Sequence, residues 1–230
     1  MYVKLCGITD AAQVPELVRI APSALGINLI PSSKRYVPLP RAWQLVECIR
    51  AENIRQAKDV ECVAVISADQ PPPELVSEGS GVRVESLLGA ASFDRIQLHS
   101  SRPAATWQAL GAPSQIFLAA QIADVADVER ASELPGAPLL VDAKLGDSLG
   151  GTGHSFDWSL VEALAARREL LLAGGLDARK LPRAIAQVKP WGVDVASGVE
   201  SGEPGIKDVE KCAAFVDAAR AAAVAVEKRS

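Results

Sequence analysis

Eight short apolar runs, separated by stretches of helical periodicity, constrain the fold of this chain more than any other feature of its sequence. The runs cover residues 2–8, 24–30, 61–67, 93–99, 115–121, 138–143, 169–173 and 192–196. Apolar residues recur at helical spacing in residues 11–20, 39–50, 123–134, 157–167, 179–188 and 207–227. Strands that alternate with helices pair in parallel through right-handed crossovers. Eight such units predict an α/β fold, a single (β/α)8 TIM barrel over residues 1–230.

The stretch between the third and fourth runs is the least regular part of this pattern. Three prolines follow Gln70, and a first helical turn tolerates proline, so residues 70–73 are predicted to begin the third helix. Residues 76–91 are longer than one helix requires and contain three glycines. Within them, residues 82–84 are predicted to form either a small extra strand or a loop.

Composition and charge argue against several classes of function. The net charge is −4 and no basic cluster stands out, so no nucleic-acid partner is expected. No apolar stretch has the roughly 18 residues of a membrane span, and the first residues do not follow the pattern of a signal peptide. The four cysteines form no C-x-x-C pair, which argues against a zinc or redox motif. We expect a soluble cytoplasmic protein with reduced thiols and no membrane partner.

The end of the first strand carries a lysine and a cysteine on one face. Active sites of such barrels lie at the carboxyl ends of the strands. Lys4 and Cys6 are two residues apart and therefore point the same way, while Val3 and Leu5 face the helices. A lysine inside a barrel needs a partner, and a nearby cation favours a thiolate. Cys6 is thus either a small core residue or a reactive group, and the spacing alone favours the core residue.

The end of the sixth strand carries a carboxylate. Asp142 closes an otherwise apolar run and shares a face with Leu140 and Lys144. Partial burial at a barrel mouth can raise the pKa of a carboxyl group, which suits it to acid or base work. The alternative is a carboxylate that pairs with a lysine to hold a loop. The glycine-rich residues 146–153 that follow could fold over a ligand or simply connect two elements.

Small residues follow the seventh and eighth strands. Gly174 and Gly175 come after the seventh strand, and Ser197 and Gly198 after the eighth. Barrels commonly bind phosphate at these two loops, where the backbone can approach the ligand and donate N–H groups. We therefore favour a phosphate site over ordinary turns.

Three other polar residues lie at predicted strand ends. Gln97 and His99 share a face of the fourth strand, where His99 could act on a substrate or bond to a neighbouring strand. Arg35 follows the second strand and could bind a substrate carboxylate. Most loop arginines, however, are only solvated.

Several short motifs occur in one order along nearly the whole chain. They are Lys4-Leu5-Cys6-Gly7-Ile8-Thr9, Ser33-Lys34-Arg35-Tyr36-Val37, Gln97-Leu98-His99, Asp142-Ala143-Lys144, Gly150-Gly151-Thr152-Gly153 with Phe156-Asp157-Trp158, Leu172-Ala173-Gly174-Gly175-Leu176, and Gly192-Val193-Asp194-Val195-Ala196-Ser197-Gly198-Val199-Glu200. In this order they resemble the phosphoribosylanthranilate isomerase family of tryptophan biosynthesis. One departure is segment 201–205, where the family's Ser-Pro-Gly run gains two residues.

The resemblance implies an isomerase with a defined acid and base. The substrate would be N-(5-phosphoribosyl)anthranilate, and an Amadori rearrangement would give 1-(2-carboxyphenylamino)-1-deoxyribulose 5-phosphate. Asp142 would be the general acid that opens the ribose ring. Cys6 would be the general base that removes the C2′ proton. No metal and no organic cofactor are implied, and family members are monomers or homodimers.

The resemblance also implies which residues bind the substrate. Arg35 would hold the anthranilate carboxylate. The phosphate would bind at Gly174, Gly175, Ser197 and Gly198, while Lys4, Gln97, His99 and Gly153 could position the substrate.

Two other functions fit parts of the sequence. A histidine-pathway type of sugar isomerase shares the phosphate loops but has an aspartate where Cys6 stands, and it needs a second small-residue loop that we do not find. A non-catalytic barrel that binds phosphorylated sugars or a protein partner is the other alternative. Such a barrel has no evident need for Cys6, Asp142 and Arg35 together.

Overall fold

Eight parallel strands close into a barrel. The computed structural model describes residues 1–77, 81–82, 84–88, 92–110, 114–143 and 158–228. The barrel strands are β1 Tyr2–Cys6, β2 Ala24–Asn28, β3 Glu61–Ser67, β4 Arg95–His99, β5 Ile116–Ile122, β6 Leu139–Ala143, β7 Leu170–Ala173 and β8 Gly192–Val195. Each strand pairs with its neighbours in sequence, and β8 also pairs with β1, which closes the sheet. The predicted (β/α)8 barrel is confirmed.

Seven α-helices occur in the described residues. They are α1 Val14–Ile20, α2 Leu39–Gln56, α3 Pro103–Ala109, α4 Val125–Ser132, α5 Ser159–Ala165, α6 Leu181–Val188 and α7 Val209–Glu227. Helices α4 to α7 each begin two residues later than predicted, and in two of them an aspartate caps the first turn. Asp124 accepts a hydrogen bond from the Asp127 N–H before α4, and Asp208 accepts one from the Lys211 N–H before α7.

The segment between β3 and β4 differs from the prediction. The prediction that residues 70–73 begin a third helix is wrong, since Pro73–Leu75 form one 3-10 turn and the chain then becomes extended. Val76–Ser77 pair in antiparallel fashion with Gly81–Val82, and Glu85–Leu87 form a second 3-10 turn. The prediction of a small extra strand near residues 82–84 is confirmed in part.

Local chemistry explains why no helix begins at residues 70–73. The prolines have no N–H to donate, and each restrains the residue before it to extended backbone. The β-branched Val76 also favours an extended conformation. Leu75, Val84 and Leu87 are nevertheless buried, so the segment covers the outside of the barrel as a helix would.

The two faces of the sheet carry different residues. The cluster inside the barrel is small, and its members are Ala24, Val63, Phe117, Ala119, Leu140, Leu171 and Ala173. Val3 and Leu5 belong to the larger cluster between the sheet and the helices, as predicted. The space left inside the barrel toward the carboxyl ends is therefore available to polar groups. No helix in the described part of the chain is both long and apolar enough to cross a membrane.

Candidate active site

A cavity of about 210 Å³ opens where the carboxyl ends of β6, β7 and β8 face the loop after β2. Six residues that the sequence singled out line it: Arg35, Asp142, Gly174, Gly175, Ser197 and Gly198. They bring a carboxyl group, a guanidinium and two small-residue loops to one space. Asp194, the third residue of β8, lines the same cavity. Gly153 and the rest of residues 144–157 lie outside the described residues.

The loops after β7 and β8 require glycine for two different reasons. Gly174 and Gly175 have φ angles of 93° and 59°, in the left-handed region that favours glycine. A Cβ on Gly198 would lie 2.0 Å from the carbonyl oxygen of Leu176, so the two loops touch backbone to backbone. Ser197–Val199 form a 3-10 turn, whose first N–H groups have no partner within the turn itself. This arrangement suits an anion.

Cys6 lies beside this cavity at the end of β1. Its neighbour Leu5 is in register with Val195 of β8, which lines the cavity. Gly26 on β2 leaves the room that the thiol needs, because a Cβ there would lie 3.0 Å from Cys6 Sγ and 3.1 Å from Lys4 Nζ. Sulfur and ammonium therefore share one small space inside the barrel.

The thiol form of Cys6 is favoured in the free protein. Burial raises the pKa of Cys6, and the charge of Lys4 lowers it by less. The expectation that Lys4 favours the thiolate is correct for the interaction between these two residues alone. Burial outweighs it because Cys6 is 7 % exposed.

Lys4 is the centre of a buried hydrogen-bonded chain. Its Nζ donates to Asp194 Oδ1 at 2.8 Å and to Gln97 Oε1 at 2.9 Å. Lys4 has no exposed surface, and the expectation that it needs a partner is confirmed. Burial is the largest single effect and lowers the pKa of Lys4, but the charges and hydrogen bonds of Asp194 and Cys6 together outweigh burial and raise that pKa.

This chain continues to His99 on the same strand as Gln97. Because Gln97 uses its oxygen for Lys4, its amide nitrogen faces His99 Nε2, at 2.9 Å. That nitrogen must then accept, which assigns a neutral ring with its proton on Nδ1. Burial, helped by the charge of Lys4, lowers the pKa of His99 to about 4. Lys4, Gln97 and His99 are thus brought together as one group.

Arg35 is held by a second charged group at the rim of the barrel. Its Nε and Nη2 donate to Oε1 and Oε2 of Glu200, at 2.6 and 2.7 Å. Glu200 Oε1 also accepts from Lys207 Nζ at 3.0 Å and from the Gly205 N–H at 2.8 Å. The stem of Arg35 lies against Gly7, where a Cβ would be 2.3 Å from Arg35 Cδ. The glycine after Cys6, with a φ of 81°, therefore makes room for Arg35.

Three residues of these groups were not among the sequence candidates: Asp194, Glu200 and Lys207. Asp194 could have been found, because it alternates inward on a strand that meets β1 when the barrel closes, and Lys4 needs a counter-charge. Glu200 belongs to the last motif, but nothing local indicates that it contacts Arg35. Among the described residues, no cluster of three His, Cys, Asp or Glu side chains could hold a metal ion.

Comparison with known proteins points to one family. Residues 3–218 match the family model for N-(5′-phosphoribosyl)anthranilate (PRA) isomerase. The N-(5′-phosphoribosyl)anthranilate isomerase of Solibacter usitatus is 32 % identical over 222 residues, which cover 96 % of this chain and 98 % of that protein.

Solved structures agree with this match. The crystal structure of phosphoribosyl anthranilate isomerase from Thermotoga maritima is 29 % identical, with a TM-score of 0.76, and the match covers 96 % of this chain and 99 % of that one. Another phosphoribosyl anthranilate isomerase, crystallised with reduced 1-(o-carboxyphenylamino)-1-deoxyribulose 5-phosphate, is 28 % identical, with a TM-score of 0.73 and the same coverage.

Proposed function

The chain belongs to the N-(5′-phosphoribosyl)anthranilate isomerase family, and we propose that it rearranges that substrate with Asp142 as general acid and Cys6 as general base. The product is 1-(2-carboxyphenylamino)-1-deoxyribulose 5-phosphate, in tryptophan biosynthesis. The observation that carries the proposal is the cavity that joins Asp142 and Arg35 to the glycine loops after β7 and β8. The substrate has one ring oxygen to protonate, one carboxylate and one phosphate, and these groups match that set.

The first step is ring opening. Asp142 donates a proton to the ribose ring oxygen while the bond between that oxygen and C1′ breaks. The nitrogen lone pair forms a double bond to C1′, which gives a cationic Schiff base. Asp142 suits this step because it is partly buried at the carboxyl end of β6 and lines the cavity.

The second step is proton removal from C2′. The thiolate of Cys6 takes this proton, and the C–H electrons form a C1′–C2′ double bond as the Schiff base becomes an enolamine. The enolamine then tautomerises to the ketone, as C1′ gains one proton and the C2′ hydroxyl loses one. The substrate has then received one proton from Asp142 and given one to Cys6, and proton exchange with solvent returns both side chains to their starting forms. In the free protein burial raises the pKa of Cys6. The positive charge of the Schiff base opposes that effect when the substrate is bound, because a nearby cation favours the thiolate.

Binding groups hold the two ends of the substrate. We expect the phosphate to bind where Gly174, Gly175, Ser197 and Gly198 line the cavity, because small residues let the backbone approach the phosphate and donate N–H groups to it. Arg35, which lines the same cavity, binds the anthranilate carboxylate. In this proposal the ribose lies between Asp142 and Cys6.

A fluorescence assay tests the proposed reaction. The substrate's anthranilate fluorescence should decay when the purified protein is added, and the gene should restore growth to a tryptophan auxotroph that lacks this isomerase. Cys6→Ser and Asp142→Asn should each slow the decay roughly 10²- to 10⁴-fold, the usual contribution of a general acid or base. Both variants should keep the wild-type circular dichroism spectrum.

Matched controls separate chemistry from folding. Cys48→Ser replaces a half-buried thiol on α2, and Asp59→Asn replaces an exposed carboxylate, so both should react like the wild type. If the wild-type protein binds the substrate but leaves it unchanged, a non-catalytic barrel that binds phosphorylated sugars replaces this proposal.

A further inference from the structure

We propose that Glu200 is a positioning residue that fixes the plane of the Arg35 guanidinium, so that the free edge of the guanidinium receives the substrate carboxylate. This inference rests on the proposed function, because it requires an anthranilate carboxylate at Arg35. It assigns a role to a carboxylate that does not itself touch the substrate.

The hydrogen bonds of Arg35 leave one side of the guanidinium open. The edge formed by Nε and Nη2 faces the two oxygens of Glu200, in a bidentate pair. A guanidinium has a second bidentate edge, formed by Nη1 and the remaining Nη2 hydrogen. Within the described part of the chain, no acceptor other than Glu200 bonds the guanidinium, and Arg35 lines the cavity. A second carboxylate can therefore bind without displacing the first.

Glu200 is itself held in place. Its Oε1 accepts from Lys207 Nζ and from the Gly205 N–H, and Lys207 Nζ also donates to the Ala196 carbonyl at 3.1 Å. Lys207 is buried, and its backbone exchanges two hydrogen bonds with the side chain of Gln13. A carboxylate with this many fixed donors does not follow the motion of a long arginine side chain. It imposes an orientation on that side chain instead.

The charges around Glu200 also favour an incoming anion. One carboxylate faces two cations, Arg35 and Lys207, so the group keeps a net positive charge. The hydrogen bonds from Arg35, Gly205 and Lys207 overcome burial and lower the pKa of Glu200 to about 2, which keeps it ionised at neutral pH. Pairing with Glu200 therefore orients Arg35 without neutralising the site.

The divergent segment 201–205 completes this arrangement. Gly205, at its end, has a φ of 93° and directs its N–H to Glu200. Thr9 donates its hydroxyl to the Gly205 carbonyl at 3.0 Å, and a Cβ on Gly205 would lie 2.6 Å from Thr9 Cγ2. The loop after β8 is thus fastened to the loop after β1, and the additional residues of the segment leave the contact to Glu200 intact.

Two ligands that differ only in the carboxylate test the inference. One is reduced 1-(o-carboxyphenylamino)-1-deoxyribulose 5-phosphate, and the other is its phenylamino counterpart without the carboxylate. Glu200→Gln keeps the shape of the side chain but removes its charge. We expect it to weaken binding of the first ligand roughly 10- to 100-fold, the size of a lost hydrogen bond to a charged group, and that of the second less than about 3-fold. A merely structural role would weaken both equally.

Further variants keep the test decisive. Arg35→Met should show the same selectivity, and Arg35→Met with Glu200→Gln should be no worse than Arg35→Met alone. Glu200→Asp, which retains the charge, should recover part of the binding and provides the test if Glu200→Gln does not fold. Equal losses for both ligands, or no loss for either, overturn the inference.

The proposed function is tested separately by turnover of the wild-type protein. If the wild type converts the substrate but Glu200→Gln loses no carboxylate-dependent binding, only the role of Glu200 is wrong. If the wild type converts nothing, the proposed function itself fails.

Discussion

Two clusters of charged side chains in this barrel differ in where they lie and in the charge that they leave for a ligand. The inner cluster, formed by Lys4, Asp194 and Gln97, lies inside the sheet, and its lysine has no exposed surface. The rim cluster, formed by Arg35, Glu200 and Lys207, lies above it, and the Arg35 side chain is 23 % exposed. Each cluster contains one carboxylate paired with lysine or arginine. Only the rim cluster has a positively charged side chain, that of Arg35, among the residues that line the cavity.

The balance of charge explains this difference. In the inner cluster one cation faces one carboxylate and one amide oxygen, so no charge is left over for a ligand. In the rim cluster two cations share one carboxylate, so one positive charge remains. The inner cluster therefore fixes the surroundings of Cys6, whereas the rim cluster is suited to attract an anion. Burial alone does not separate a supporting ion pair from a binding one, but the count of charges and free donors does.

Breaking the inner cluster should have the largest effect on stability. Lys4→Met leaves the carboxylate of Asp194 buried without its cation, and we expect a loss of roughly 3–5 kcal/mol in the free energy of unfolding. Urea denaturation at pH 7 measures it. The double variant Lys4→Met with Asp194→Leu should recover much of that loss, because no buried charge then remains unpaired. A loss below about 1 kcal/mol for Lys4→Met would contradict the pairing.

Acid should act on the rim cluster. The pKa of Glu200 is about 2 in the folded protein, below its ordinary value of 4.5. The stabilisation by this carboxylate is therefore complete above the ordinary value and is lost as the pH falls from about 5 to about 2. We expect Glu200→Gln to lack this part of the acid dependence, a difference of about 1–3 kcal/mol between pH 7 and pH 3 in urea denaturation. Parallel pH profiles for the two proteins would refute it.

The smallest effect concerns the protonation of His99. We expect its pKa near 4, with the proton on Nδ1 at neutral pH, because burial and the charge of Lys4 both disfavour the imidazolium. A two-bond ¹H–¹⁵N NMR titration reports both the pKa and the tautomer. The chain has two histidines, so His154→Gln assigns the remaining signals to His99. A pKa near the ordinary value of 6.5 would show that burial and the charge of Lys4 do not act on His99 as the structure indicates.

Periodicity was enough to predict the barrel and the residues at its mouth. The alternation of strands and helices placed Asp142 and the glycine loops at the carboxyl ends of the strands, where the structure has them. It failed at residues 70–73, because proline in a first turn is compatible with a helix but does not require one. The buried apolar residues in the segment between β3 and β4 show that it covers the barrel without forming a helix.

The partners in the two ion pairs could not be predicted from the local sequence. Lys4 and Asp194 are 190 residues apart, and Arg35 and Glu200 are 165 apart. Only the closure of the barrel brings each pair together, so no spacing rule connects them. The need of Lys4 for a partner was predictable from desolvation, whereas the identity of that partner required the strand register.

The bond between Lys4 and Asp194 joins the first strand of the barrel to the last, and this has a consequence for biosynthesis. At about 5–20 residues per second, a ribosome needs roughly 10–40 s to make the intervening 190 residues. During that interval Lys4 has no counter-charge, so burying the first strand is unfavourable. The surroundings of Cys6 are therefore completed only when β8 arrives, and a nascent chain cut short before β8 is expected to be inactive.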